Sequence, residues 1–139
     1  MNYCIIDGKS FDVCVTAINE YFNIMDTSNA GRAIKNARMI RDIIGTAVGH
    51  KVKFARKSDD EAGRKAYDEL WDYMKMPRES VNVKMADGQS VIEYEAYCTD
   101  GSRDVEYIEN GRVFWSDMEL SFIPMECQYT PSDLEVQDG

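Results

Sequence analysis

Apolar and polar residues alternate through most of residues 81–126, and a period of two is the mark of a half-buried strand. Val81, Val83 and Met85 alternate up to Asp87-Gly88, and Ile92, Tyr94 and Ala96 alternate away from it. Residues 105–109 face Arg112 and its followers across Asn110-Gly111, a dipeptide suited to the positive φ angles of a tight hairpin turn. In one long strand Phe114, Met118, Leu120 and Phe122 then share a face, and Pro124 between Ile123 and Met125 predicts a bulge or an edge position. The N-terminus repeats the theme. Tyr3, Cys4, Ile5 and Ile6 precede an Asp7-Gly8 turn, after which Phe11, Val13 and Val15 alternate with Asp12, Cys14 and Thr16. In residues 49–55 Val52 and Phe54 face the core while Lys51 and Lys53 face out.

One segment has the helical period. Ala66, Tyr67, Leu70, Trp71 and Met74 form an apolar stripe at spacings of three and four. Ser58 with Glu61 predicts a capping box at its start, and Pro77 ends it. Residues 19–38 have Asn, Ser, Thr and Gly punctuation and no sustained period, which reads as a long loop or an open hairpin. Residues 33–44 fit a helix or a strand; the bracketing Gly31 and Gly45 and the β-branched content favour the strand. Residues 131–139 have the composition of an extended or mobile tail. The resulting expectation is a mainly β, α+β domain over residues 1–130. It is a split β-barrel or sandwich of about seven strands with one flanking helix and a long interaction loop over 19–41.

Charge adds something the periodicity lacks. The chain of 139 residues carries a net charge of −9, which argues against a conventional DNA-binding surface. Yet Arg32, Lys35, Arg38, Arg41, Lys51, Lys53, Arg56 and Lys57 fall between residues 30 and 57, opposed only by Asp42. The remainder is strongly acidic. A phosphate-binding patch is one reading of the basic segment; pairing with the acidic surface of a neighbouring copy is the one favoured. The interface residues expected on this basis are Arg32, Lys35, Arg38, Arg41, Lys51, Lys53 and Trp115, the last because it lies off the Phe114/Met118 face and reads as an exposed contact.

Candidate chemistry is sparse. Cys4, Cys14, Cys98 and Cys127 include no C-x-x-C pair and read as free thiols. The single histidine, His50, has no ligand partner nearby in sequence and reads as solvent-facing or at an interface. Glu93 with Glu95, and Asp68, Glu69 and Asp72, occupy the polar sides of amphipathic elements, where solvated charge belongs. Trp71 belongs to the helix's core stripe. No glycine pattern suits a nucleotide. The expectation is a protein that is not an enzyme and uses no cofactor and no metal. No apolar run approaches a membrane span and the N-terminus lacks a secretory pattern, so folding in a cytoplasm without a membrane partner is expected.

Asn29-Ala30-Gly31-Arg32, Arg41-Asp42-Ile43-Ile44-Gly45-Thr46 and the stretch 115–126 resemble a group of small prophage proteins encoded among tail genes. The order of elements is similar to that of the phage tail-tube superfamily, which includes tube proteins, distal tail proteins and baseplate ring domains. The resemblance implies a structural virion protein of the tail, assembled in the bacterial host cytoplasm. It implies a hexameric ring in which strands join across copies and the long loop reaches a neighbour, with other tail proteins as further partners. DNA would then be a transient passenger in an acidic lumen. The alternative is a small phage-encoded regulatory or inhibitory module that uses the basic 30–57 segment to bind an acidic partner.

Overall fold

The computed structural model describes residues 4–137. In chain order the elements are β1 (Cys4–Ile6), β2 (Cys14–Asp26), β3 (Gly31–Arg32), β4 (Met39–Ile40) and β5 (Ile43–Ala55), then the helix α1 (Glu61–Lys75). There follow β6 (Val81–Asp87), β7 (Ser90–Tyr97), β8 (Gly101–Ser102), β9 (Val105–Glu109), β10 (Arg112–Trp115), β11 (Met118–Pro124) and a short helix, α2 (Ser132–Gln137). The chain is mainly β and of the α+β class.

Seven strands form one antiparallel sheet in the order β1-β6-β7-β11-β5-β2, with β8 beside β11. The alternation does what its period requires. Val52 and Phe54 of β5 pair with Leu120 and Met118 of β11, and all four point into the core. Val83 and Met85 of β6 and Ala96 of β7 join them, and α1 covers this face with Tyr67 and Leu70. The Tyr67 hydroxyl donates to the carbonyl of Ser116 at 2.5 Å, which satisfies its polar end inside an apolar layer. Paired turns carry the hairpins as expected: Asn110 and Gly111 have φ of 52° and 74°, and Gly88 of 60°.

The sheet curls strongly. Glu20 of β2 and the Ala86 carbonyl of β6 meet at the Nε2 of His50, 3.3 and 2.9 Å from it, although three strands separate β2 from β6 in the sheet order. No ladder joins the two strands, so the barrel stays open; the expected split barrel or sandwich is one bent sheet with a helix over its concave side.

Several local expectations differ. The N-terminal hairpin closes only at Ile6 and Lys9. Beyond that β1 pairs with β6, because the Asp7 backbone and side chain both bind the backbone of Asn82, and β2 pairs with β5 instead. Tyr3, expected in that strand, lies outside the described residues. The helix cap is Asp60, whose carboxylate accepts from the Gly63 amide at 2.8 Å, while Ser58 supports it by donating to Asp60 at 2.7 Å. The single strand expected from Arg112 onward breaks at Ser116 and Asp117, and β10 with β9 makes a separate two-stranded hairpin. The tail expected over 131–139 is helical over 132–137, anchored where Thr46 of β5 and Tyr129 exchange backbone hydrogen bonds. Residues 138–139 lie outside the described residues.

Candidate functional site

Residues 19–26 are strand, continuous with the rest of β2, so the expected loop is an open hairpin whose irregular part starts only after Asp26. β2 and β5 are each 13 residues long, and their register runs from Cys14 opposite Ala55 to Asp26 opposite Ile43. At about 3.3 Å per residue each strand spans on the order of 40 Å, more than the core can cover. The core face of β5 is buried from Val48 to Phe54; towards Ile43 the pair projects beyond it as an arm.

The arm has apolar side chains without a core. Phe22 is 66% exposed, Ile40 54% and Ile44 50%, and Ile24, Met25 and Ile43 are exposed beside them. Because neighbours in a strand point to opposite sides, Ile24 and Met25, or Ile43 and Ile44, put apolar groups on both faces of the ribbon. β2 is also an edge strand, with one side of its backbone ladder unpaired over its whole length.

The tip is held in shape by hydrogen bonds. Arg41 Nε donates to both oxygens of Asp26 at 2.9 Å and Nη2 lies 2.8 Å from one of them. The Asp42 amide also donates to Asp26 at 3.1 Å. Arg41's hydrogen bond keeps the Asp26 carboxyl below the usual carboxylate range. β3 and β4 form a minimal ladder, and Ala37 closes the turn between them at φ 57° with its carbonyl accepting from Arg32 Nη1. Residues 33–44 contain no helix.

The residues expected at an interface separate into three groups. Arg32, Lys35 and Arg38 lie exposed on the tip, and among the described residues none has a carboxylate within ion-pair distance. Arg41 is committed to Asp26. Lys51 and Lys53 are exposed on the outer face of β5, away from the tip. Trp115 is not an exposed contact: it is half-buried against the core, with the Arg103 guanidinium 4.0 Å above its ring. Arg56 and Lys57 also have partners within the chain, in Asp59 with Glu106 and in Asp12. The basic 30–57 segment is therefore divided: Arg41, Arg56 and Lys57 have carboxylate partners within the chain, and among the described residues the unpaired cations split between the tip and the outer face of β5.

His50 is a correction. It is completely buried, on the core face that it shares with Val52 and Phe54. Its Nδ1 lies 2.6 Å from the Tyr94 hydroxyl, and its Nε2 lies 2.9 Å from the Ala86 carbonyl and 3.3 Å from Glu20. A carbonyl only accepts, so Nε2 carries a proton, and in the neutral ring Tyr94 donates to Nδ1. Burial raises the pKa of Glu20 first, and its hydrogen bond and repulsion with Asp87 add to the rise, while His50 opposes it. The alternation of residues 50–54 already placed His50 inward; what the sequence did not disclose was its set of partners on β2, β6 and β7.

No protein-family model and no curated protein matches this chain. Among the described residues no group of His, Cys, Asp and Glu could hold a metal ion. No helix among them is long and apolar enough to cross a membrane. The arm is the feature that folding alone does not explain.

Proposed function

We propose that this chain is a structural protein of a phage tail, forming a ring of the tail tube or of the tail tip through strand and arm contacts between copies. The observation that carries this reading is the arm: a hydrogen-bonded ribbon with exposed apolar residues on both faces, extending from a 13-residue edge strand. A monomer gains nothing from exposing Phe22, Ile40 and Ile44, and exposed edge strands are ordinarily shielded. A neighbouring copy would cover both. The likeness of the arm and of the 115–126 stretch to prophage tail-gene products adds to this reading, and so does the acidic balance, which suits a passage through which DNA slides.

In this role the protein works by self-association, without turnover or cofactor, and resides in the virion tail. The division of the basic segment weakens the alternative of a regulatory module, since three of its eight cations are paired within the chain and the others form two separate groups. Electron microscopy of the purified protein tests the proposal. Rings or tubes with six-fold symmetry and the width of a phage tail are expected. A strict monomer that instead captures nucleic acid or a host protein at low salt contradicts it.

A further inference from the structure

Exposed apolar side chains gather in a second place. On the β9–β10 hairpin Ile108 is 65% exposed and Val105 46%, with Val113 and Tyr107 exposed beside them. This hairpin belongs to neither face of the main sheet. Residues 104–117 carry the carboxylates of Asp104, Glu106, Glu109 and Asp117 against one cation, Arg112. The arm is its opposite in sign: residues 27–41 carry Arg32, Lys35, Arg38 and Arg41 and no carboxylate at all. Both surfaces thus combine apolar area with charge, and the charges are complementary.

Their positions exclude pairing within one copy. The arm leaves from the Ile43 end of β5, whereas the β9–β10 hairpin sits at the other end, where Arg56 reaches Glu106 at 3.5 Å and the carbonyl of Trp115. The length of β5, about 40 Å when extended, lies between them. We propose that the arm of one copy docks on the β9–β10 hairpin of the next, with Arg32, Lys35 and Arg38 facing Glu109 and Asp104. Repeated head to tail, this contact closes into a ring or propagates as a filament, unlike a two-fold pair in which two copies exchange both arms. Burial of Ile108 and Val105 against the arm's apolar residues supplies the attraction, and the charges fix register and choice of partner.

This inference rests on the self-assembly reading and names its acceptor surface. The test is sedimentation velocity over a range of concentration at low and high salt, on four samples. They are the wild type, an arm variant (R32E/K35E/R38E), a hairpin variant (D104K/E109K), and the two variants mixed. All the altered side chains are exposed, and unchanged melting temperatures establish that the variants fold. The expected result is assembly of the wild type, a rise of about tenfold or more in the dissociation concentration for each variant alone, and recovery in the mixture. If the wild type assembles and the hairpin variant does so equally well, the acceptor surface is wrong while self-assembly stands. If the wild type remains a monomer throughout, both are overturned. If each variant fails and the mixture fails too, the two surfaces do not meet and the inference is lost.

Discussion

The Nδ1 of His50 on β5 lies 2.6 Å from the hydroxyl of Tyr94 on β7, across the intervening strand β11. The chain's one histidine therefore ties two strands that the sheet itself does not pair, and its other nitrogen reaches β6 through Ala86. It acts as an internal clasp that maintains the curl of the sheet.

Removing that clasp has a cost that a double-mutant cycle can divide. His50→Leu leaves the Ala86 carbonyl without its donor and the Tyr94 hydroxyl with only the Phe122 carbonyl, 3.4 Å away. A loss of roughly 2 kcal/mol is expected, read as a fall in the urea midpoint. Tyr94→Phe added to His50→Leu should cost much less than Tyr94→Phe alone, because the hydroxyl has then already lost its better partner. Additive effects of the two changes would show that the residues do not interact.

Stability at the seam between β2 and β6 should depend on pH through Glu20. Its pKa is raised, by burial first and by Asp87 second, so the folded state holds the proton more firmly than the unfolded chain. The stability that Glu20 contributes is complete below its ordinary carboxylate value and is lost as pH rises through the elevated folded one. Glu20→Gln, which stays neutral, should therefore gain on the wild type as pH increases. The difference in melting temperature between the two, measured from about pH 4 to about pH 8, is expected to shift in favour of the variant. A difference that is flat with pH would contradict the geometry of the pair.

The four thiols should react in an order set by burial. Cys14 is exposed on the edge strand, whereas burial pushes the half-buried Cys4 thiol up to about 12 and raises that of Cys98. Timed alkylation followed by peptide mass analysis should find Cys14 modified first and Cys4 only on unfolding, since the thiolate is the reactive form. Equal rates for Cys4 and Cys14 would mean that β1 is not packed against β6 as described.

Gly45 anchors the base of the arm. A Cβ there would come within 2.4 Å of the Tyr129 carbonyl and 2.9 Å of the Cys127 Cβ, so Gly45→Ala must push the C-terminal segment off β5. A destabilisation of roughly 1–3 kcal/mol is expected, with loss of amide protection at Thr46 and Tyr129. A variant as stable as the wild type would show that this segment does not seat on β5.

What the sequence disclosed follows the distribution of packing partners. Where a strand has the core on one side and water on the other, as at Val81, Val83 and Met85, alternation revealed it, and Asp87-Gly88 and Asn110-Gly111 marked the turns. Residues 19–26 form no such pattern because no core lies against either face of that end of β2, so Phe22, Ile24 and Met25 obey no period. Their apolar character without alternation is what suggests a partner outside the chain. His50 departs from expectation for a different reason: a lone ionisable ring reads as solvated, although its position two residues before Val52 sets it inward. For Trp115 the alternation with Phe114 predicts an outward side chain, because the register shift that interrupts the β9–β10 pairing between Phe114 and Trp115 leaves no mark in the sequence.

The central claim is that the arm exists to join copies, and trimming it is the most direct test. Residues 27–41 can be replaced by an Asn-Gly turn joining β2 to β5, which leaves the core and the His50 clasp untouched. The melting temperature should change by no more than about 2 °C, since the removed residues contribute nothing to the core. Mass determination over a range of concentration should then find discrete rings for the wild type and only monomer for the trimmed chain. Assembly of the trimmed protein at the same concentration and into the same size as the wild type would contradict the account.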